Sequence, residues 1–182
     1  MMVAVIVLAI IVSITIPRVA RTAEREFDNA ADRVADLLMM FAQRDNLGQR
    51  PVGLYHNHHS ERQDWLMLMV LDDEGSGEPY WRRDPYVSAV KLPEVVDGAT
   101  LTAYADGEIV GIRDLPCRLQ HTPGEDRPTL ELDFQSVDGL YRTTLILPPH
   151  AVAPRRVEEG DRVLSIRRQY DLDAAGRTRE DW

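Results

Sequence analysis

The amino-acid sequence predicts an α+β fold, in which one long N-terminal helix packs on an antiparallel β-sheet head. Three observations predict this arrangement. Residues 1–16 form an uncharged apolar run, and residues 23–41 continue with apolar side chains at helical spacing. From residue 52 onward, short apolar or alternating segments are separated by turn sequences that are typical of antiparallel strands.

The apolar run has no polar side, because Ser13 and Thr15 are the two hydroxyl residues within it. It is slightly short for a spanning helix, which needs about 20 apolar residues. A signal peptide is disfavoured because no basic residue precedes the run and Pro17-Arg18 makes a poor cleavage site. A buried core helix is disfavoured because no face would meet solvent. We therefore expect a membrane helix that begins upstream of Met1. Its candidate membrane and assembly residues are Val5, Leu8, Ile11, Ile14 and Pro17.

The helical pattern continues beyond the apolar run. Apolar residues recur at alternating spacings of four and three, which aligns them along one side of a helix, and charged residues fill the other sides. The positions expected to pack on the head are Ala23, Phe27, Ala30, Val34, Leu37 and Phe41. Pro17 is expected to kink or loosen the helix, and Gly48 is expected to cap its end. A helix from Met1 to about Asn46 would be about 70 Å long.

The expected organisation has three parts. Residues 1–17 form a transmembrane helix, residues 18–48 continue it as an amphipathic helix, and residues 49–182 form a β-rich head. The strands expected in the head are residues 51–55, 65–71, 86–92, 100–105, 108–112, 129–135, 140–147 and 163–166. Asp106-Gly107 and Asp138-Gly139 are turn sequences. We expect residues 65–71 to be buried on both faces and residues 148–160 to form a flexible loop.

Composition and motifs exclude several functions. The net charge of −9 disfavours binding to nucleic-acid phosphates. The single cysteine, Cys117, excludes an internal disulfide and is expected to be a small buried apolar residue. The chain carries no Gly-x-Ser-x-Gly elbow, phosphate-binding glycine loop, dinucleotide-binding glycine pattern or His-Glu-x-x-His helix. We therefore expect neither enzymatic activity nor a cofactor.

One histidine cluster is the sequence's candidate for metal chemistry. His56, His58 and His59 follow one another closely, with Glu61 and Asp64 nearby. His56 and His58 would point to the same side of a strand and could bind a metal. A polar loop between two strands is the favoured interpretation.

A second acidic cluster is a candidate calcium loop. Asp72-Asp73-Glu74, with Glu78, offers the oxygen ligands that calcium prefers. A solvated turn is the favoured interpretation.

The apolar run that ends in Ile16-Pro17 resembles the N-terminal helix of type IV pilins and type II secretion pseudopilins. In that family a cytoplasmic leader is removed, and a short Thr-Leu-Ile/Leu-Glu stretch precedes the apolar run. The chain matches from just after that glutamate through Pro17. We therefore expect a leader and about five further mature residues upstream of Met1, which would lengthen the apolar segment to about 21 residues, the length a bilayer requires.

The head resembles the H-type minor pseudopilins in residues 49–54 (QRPVGL) and 68–75 (LMVLDDEG), with Leu92-Pro93 and the Asp106-Gly107 turn also in keeping. The resemblance implies a single-pass protein of the bacterial inner membrane whose head lies in the periplasm. It implies assembly at the tip of a secretion pseudopilus. The implied partners are other major and minor pseudopilins, the inner-membrane secretion platform and the prepilin peptidase.

Two alternatives remain open. One is a minor type IV pilin that serves adhesion or DNA uptake. The other belongs to a different class, a membrane-anchored periplasmic metal-binding or enzymatic domain built around His56, His58 and His59.

Overall fold

The computed structural model describes the backbone of residues 2–48, 50–59, 62–72, 78–113 and 127–158. Within these ranges it describes side chains from residue 21 onward, except at residues 59, 62, 63 and 158. The described chain is α+β, as expected: one N-terminal helix packs on antiparallel sheets.

Helix α1 spans Met2–Asn46 and runs without a break through Pro17. It ends as the sequence predicts. Gly48 adopts a left-handed conformation with φ 59°, and its N–H donates to the Asp45 carbonyl at 2.9 Å. Glycine takes this conformation at little cost because it has no Cβ, so Gly48 terminates the helix.

In the described part of the chain, the first sheet contains four strands. Strands β1 (Val52–His59), β2 (Arg62–Asp72) and β3 (Tyr80–Arg83) are adjacent in that order, and the short β4 (Val90–Lys91) also pairs with β2. All pairings are antiparallel. The long β1–β2 hairpin therefore dominates this sheet.

Over the described residues, the second sheet contains five strands: β5 (Thr102–Ala105), β6 (Glu108–Val110), β7 (Leu130–Gln135), β8 (Arg142–Leu147) and β9 (Arg155–Glu158). Their order in the sheet is β6-β5-β7-β8-β9. The expected hairpin turn joins β5 to β6, where Asp106 and Gly107 have φ values of 51° and 84°. Consecutive left-handed residues are what a tight two-residue hairpin requires. A short 3₁₀ turn, Gly98–Thr100, precedes this sheet.

Three expectations about the strands are wrong. Strand β2 is buried mainly on one side, with Leu66 and Leu68 inside and Met67 half-buried, because α1 and the core lie against one face of its sheet. Within residues 86–92 only Val90–Lys91 is a strand, and the longer strand of this region is the neighbouring segment Tyr80–Arg83, which also pairs with β2. The expected loop 148–160 contains β9, which closes the edge of the second sheet. The expected strand 163–166 lies outside the described residues.

The core forms where α1 meets both sheets. Its helical contribution comes from one side of α1, and its sheet contributions come from alternate positions of the strands, such as Leu130, Leu132 and Phe134 of β7. Phe27 bridges to the second sheet, with ring centroids 5.6 Å from Phe134 and 5.8 Å from Tyr141. The helix is therefore the element that both sheets share.

Candidate functional site

The first candidate site is the face of α1 that packs on the head. Phe27, Ala30, Val34, Leu37 and Phe41 are buried there, and Ala23 is half-buried. The same face contributes three further buried residues that the four-and-three spacing did not single out, Ala31, Leu38 and Ala42. The four-and-three spacing defines a single row of side chains, whereas a helix that contacts two sheets buries a wider stripe.

Ion pairs reinforce this interface at both ends. Among the described side chains, three pairs join the helix to the head: Arg156 with Asp28 at 2.5 Å, Arg44 with Asp84 at 3.1 Å, and Arg127 with Asp45 at 3.6 Å. They differ greatly in exposure. The Asp28 side chain is 47% exposed, whereas the Asp45 and Arg127 side chains are 7% and 2% exposed. The buried pair near the end of α1 is therefore the one with the largest energetic consequence.

The assembly residues expected in residues 1–17 fall on the backbone of α1, but their side chains lie outside the described residues. Among the side chains that are described, steady burial on the head begins at Phe27. Over the part of the chain with described side chains, no helix is long and apolar enough to cross a membrane.

The second candidate site is a histidine–aspartate cluster at the end of the β1–β2 hairpin. His56 and His58 lie on the same side of β1, with ring centroids 5.7 Å apart. The His58 Nδ1 and Asp64 Oδ1 atoms are 2.9 Å apart. One ligand atom from each of the three residues lies within 4.8 Å of the others. The segment is a strand rather than the polar loop that the sequence favoured.

A bulge in the hairpin explains why Asp64 joins the two histidines. Asn57 pairs with Trp65 and His59 pairs with Arg62, so two residues of β2 oppose the single residue His58. Such an irregularity changes the direction of a side chain, and here the Asp64 carboxylate meets the His58 ring. Asp64 was only a neighbour of the cluster in the sequence. Asp64 follows His58 by only six residues, and two strands joined by so short a connection form a hairpin. This closeness in sequence is the signal that could have identified Asp64 as a neighbour of His58.

Gly98 provides the space for the Asp64 carboxylate. A Cβ atom at residue 98 would lie 1.8 Å from Asp64 Oδ2 and 2.6 Å from its Cγ. Any larger residue would therefore force the carboxylate to rotate away from its present position. The sequence gives no sign of this role, because the contact joins segments 34 residues apart.

His56 is the unusual member of the cluster. Its side chain is fully buried, and neither ring nitrogen has a hydrogen-bond partner among the described residues. Burial lowers the pKa of His56 to about 4, with Asp64 acting in the opposite direction and Arg113 and His58 adding to the decrease. The ring is therefore neutral near pH 7, the form in which imidazole binds a metal ion.

The Arg113 guanidinium lies near this cluster, and its charge contributes to the lowered pKa of His56. Its Nη2 atom donates to the carbonyls of Gly98 at 3.0 Å and Ala99 at 2.5 Å. These two hydrogen bonds fix the guanidinium on the Gly98–Thr100 turn, where Gly98 also lies against the Asp64 carboxylate.

The remaining candidate residues from the sequence either lie outside the described residues or have another role. The His59 side chain, Glu61 and Cys117 lie outside the described residues. Asp72 of the acidic loop is paired with Arg82 at 2.6 Å and Arg50 at 3.7 Å, while residues 73–77 lie outside the described ranges. Asp72 therefore serves as an ion-pair partner within the head.

No protein-family model, characterised protein or solved structure matches this chain.

Proposed function

We propose that the chain is a minor pseudopilin, a subunit that assembles at the tip of the pseudopilus of a type II protein secretion system. One observation carries the proposal: a single uninterrupted helix, Met2–Asn46, joins an apolar sequence segment to the buried face of a β-rich head. A helix that only completed a core would not need to extend so far beyond its contacts with the head.

The length of α1 supports this role. Among the described side chains, steady burial on the head begins at Phe27, about 25 residues after the helix starts. At about 1.5 Å per residue, the 25 residues before Phe27 correspond to about 38 Å of helix, of which the uncharged residues supply about 24 Å, compared with about 30 Å for the hydrocarbon core of a bilayer. Residues 1–16 of this stretch carry no charge, so lipid or the apolar helices of neighbouring subunits are the surroundings they suit.

Assembly then follows from an exchange of contacts. In the single subunit the apolar helix lies in the inner membrane and the head lies in the periplasm. In the filament the same helix exchanges contacts with lipid for contacts with other major and minor pseudopilins, brought together by the inner-membrane secretion platform after the prepilin peptidase has removed a leader. The head, held rigidly to the helix by a shared core and three ion pairs, selects the neighbours that fit.

Site-specific cross-linking tests the proposal. In a Cys117→Ser background, Ile11→Cys labelled with a lipid-permeable benzophenone maleimide is expected to form photo-cross-links to neighbouring subunits when membranes of a type II-secreting bacterium are illuminated. The physical reason is that helices packed in a filament core bring this position close to another chain. The products are separated by denaturing electrophoresis and identified by mass spectrometry.

Glu108→Cys, at an exposed position of β6, is the matched control for non-specific cross-linking. It is expected to yield fewer cross-links to the same partners. A chain that inserts in the membrane but remains monomeric at both positions would be a simple tether, and the assembly proposal would then be wrong.

A further inference from the structure

The histidine–aspartate cluster offers three possible metal ligands that have no part in the proposed assembly. We propose that His56, His58 and Asp64 bind one divalent transition-metal ion, with zinc as the first candidate, and that the ion fastens the end of the β1–β2 hairpin. This inference is independent of the proposed function, because it concerns the head alone.

The buried imidazole ring of His56 is the first observation that favours a metal site. A buried polar group without a hydrogen bond costs on the order of 1–3 kcal/mol, so such groups almost always have a partner. The His56 ring is fully buried and has none among the described residues, although its backbone N–H donates to the Ile112 carbonyl at 2.7 Å. A metal ion bound to one ring nitrogen supplies the missing partner.

The geometry is the second argument. Zinc bonds to histidine nitrogen and carboxylate oxygen at about 2.0–2.2 Å, which places the ligand atoms of a tetrahedral site about 3.3 Å apart. The His58 and Asp64 atoms are already 2.9 Å apart, and the three candidate atoms lie within 4.8 Å. The widest separation is at most 4.8 Å, so it has to close by no more than about 1.5 Å on binding, through small rotations of the ligand side chains.

The donor set selects the class of ion. Two imidazole nitrogens and one carboxylate oxygen suit zinc and neighbouring transition metals, whereas calcium and magnesium prefer oxygen ligands throughout. Three protein ligands leave one coordination position for water or for a group from another molecule. The ion would bridge β1 and β2 at the bulge, where regular strand pairing is interrupted.

The purified full chain provides the test, after treatment with EDTA and removal of the chelator. Titration with ZnCl₂, followed by calorimetry and by thermal unfolding, is expected to give one zinc ion per chain and a higher unfolding midpoint, because binding to the folded state alone stabilises it. CaCl₂ at the same concentrations is expected to leave the midpoint unchanged. His58→Gln and Asp64→Asn are each expected to weaken zinc binding by roughly 10- to 100-fold.

Two further variants separate a metal site from general histidine affinity and from misfolding. His150→Gln removes an exposed histidine from the segment between β8 and β9, and this variant is expected to bind zinc like the parent chain. Gly98→Ala leaves all three ligands in the sequence but displaces the Asp64 carboxylate, and is expected to weaken binding as Asp64→Asn does. Absence of stoichiometric zinc binding by the parent chain, or equal losses in His150→Gln and His58→Gln, would overturn the proposal.

Discussion

Replacing Arg127 with methionine is expected to lower the free energy of unfolding by about 3–5 kcal/mol, because it leaves the Asp45 carboxylate buried without its guanidinium neighbour. The same substitution removes two hydrogen bonds that Arg127 Nη2 donates, to the Pro148 carbonyl at 2.9 Å and the Ala151 carbonyl at 2.6 Å. Burial lowers the pKa of the Arg127 guanidinium and Asp45 acts in the opposite direction, so the two groups depend on each other. Chemical denaturation followed by circular dichroism measures the loss.

The exposed pair of Arg142 and Asp133 provides the matched control. Its side chains are 53% and 17% exposed, so Arg142→Met is expected to cost no more than about 1 kcal/mol. In the double variant Arg127→Met/Asp45→Asn, part of the stability is expected to return, because the buried charge has been removed along with its partner. Equal losses for Arg127→Met and Arg142→Met would show that the buried pair does not hold the helix end to the head.

Phe27→Ala is expected to destabilise the head by about 3–5 kcal/mol, the usual cost of deleting a buried aromatic ring. Phe27 is the first buried residue among the described side chains of α1, and it contacts the rings of Phe134 in β7 and Tyr141 just before β8. Its loss opens a cavity at the point where the helix enters the head. Urea denaturation of the full chain, with the midpoint and slope fitted together, gives the change in unfolding free energy.

Met40→Ala on the same helix is the control for this substitution. Met40 is 41% exposed, and alanine favours the helix, so the change is expected to remain within about 0.5 kcal/mol. If Phe27→Ala were as mild as Met40→Ala, the second half of α1 would lie loosely on the sheets, and a rigid link between helix and head would be excluded.

The sequence predicts the features that depend on local pattern. The four-and-three spacing from Ala23 to Phe41 predicts the packed face of α1, Gly48 predicts its end, and Asp106-Gly107 predicts the β5–β6 turn. Each of these depends on residues that are neighbours along one element, so periodicity and glycine chemistry are sufficient to find them.

The features that depend on distant partners are not visible in the sequence. Strand β3 (Tyr80–Arg83) was missed because its side chains are mostly exposed and do not alternate, so its pairing with β2 defines it. Likewise, His56 and His58 share a side of β1 by strand alternation, but the addition of Asp64 depends on a bulge. The space for Asp64 depends in turn on the approach of Gly98.

Vesicle flotation most directly tests the central claim that the first part of α1 is a membrane helix continuous with the head. The full chain is mixed with phospholipid vesicles and centrifuged through a density gradient, beside the variant Leu8→Arg/Ile11→Arg. Each arginine at the centre of a spanning helix costs about 2.5–3.5 kcal/mol, so the parent chain is expected to float with the lipid and the variant to remain in the dense fractions with its head folded. A parent chain that stays in the dense fractions, or a variant that floats equally well, would contradict the claim.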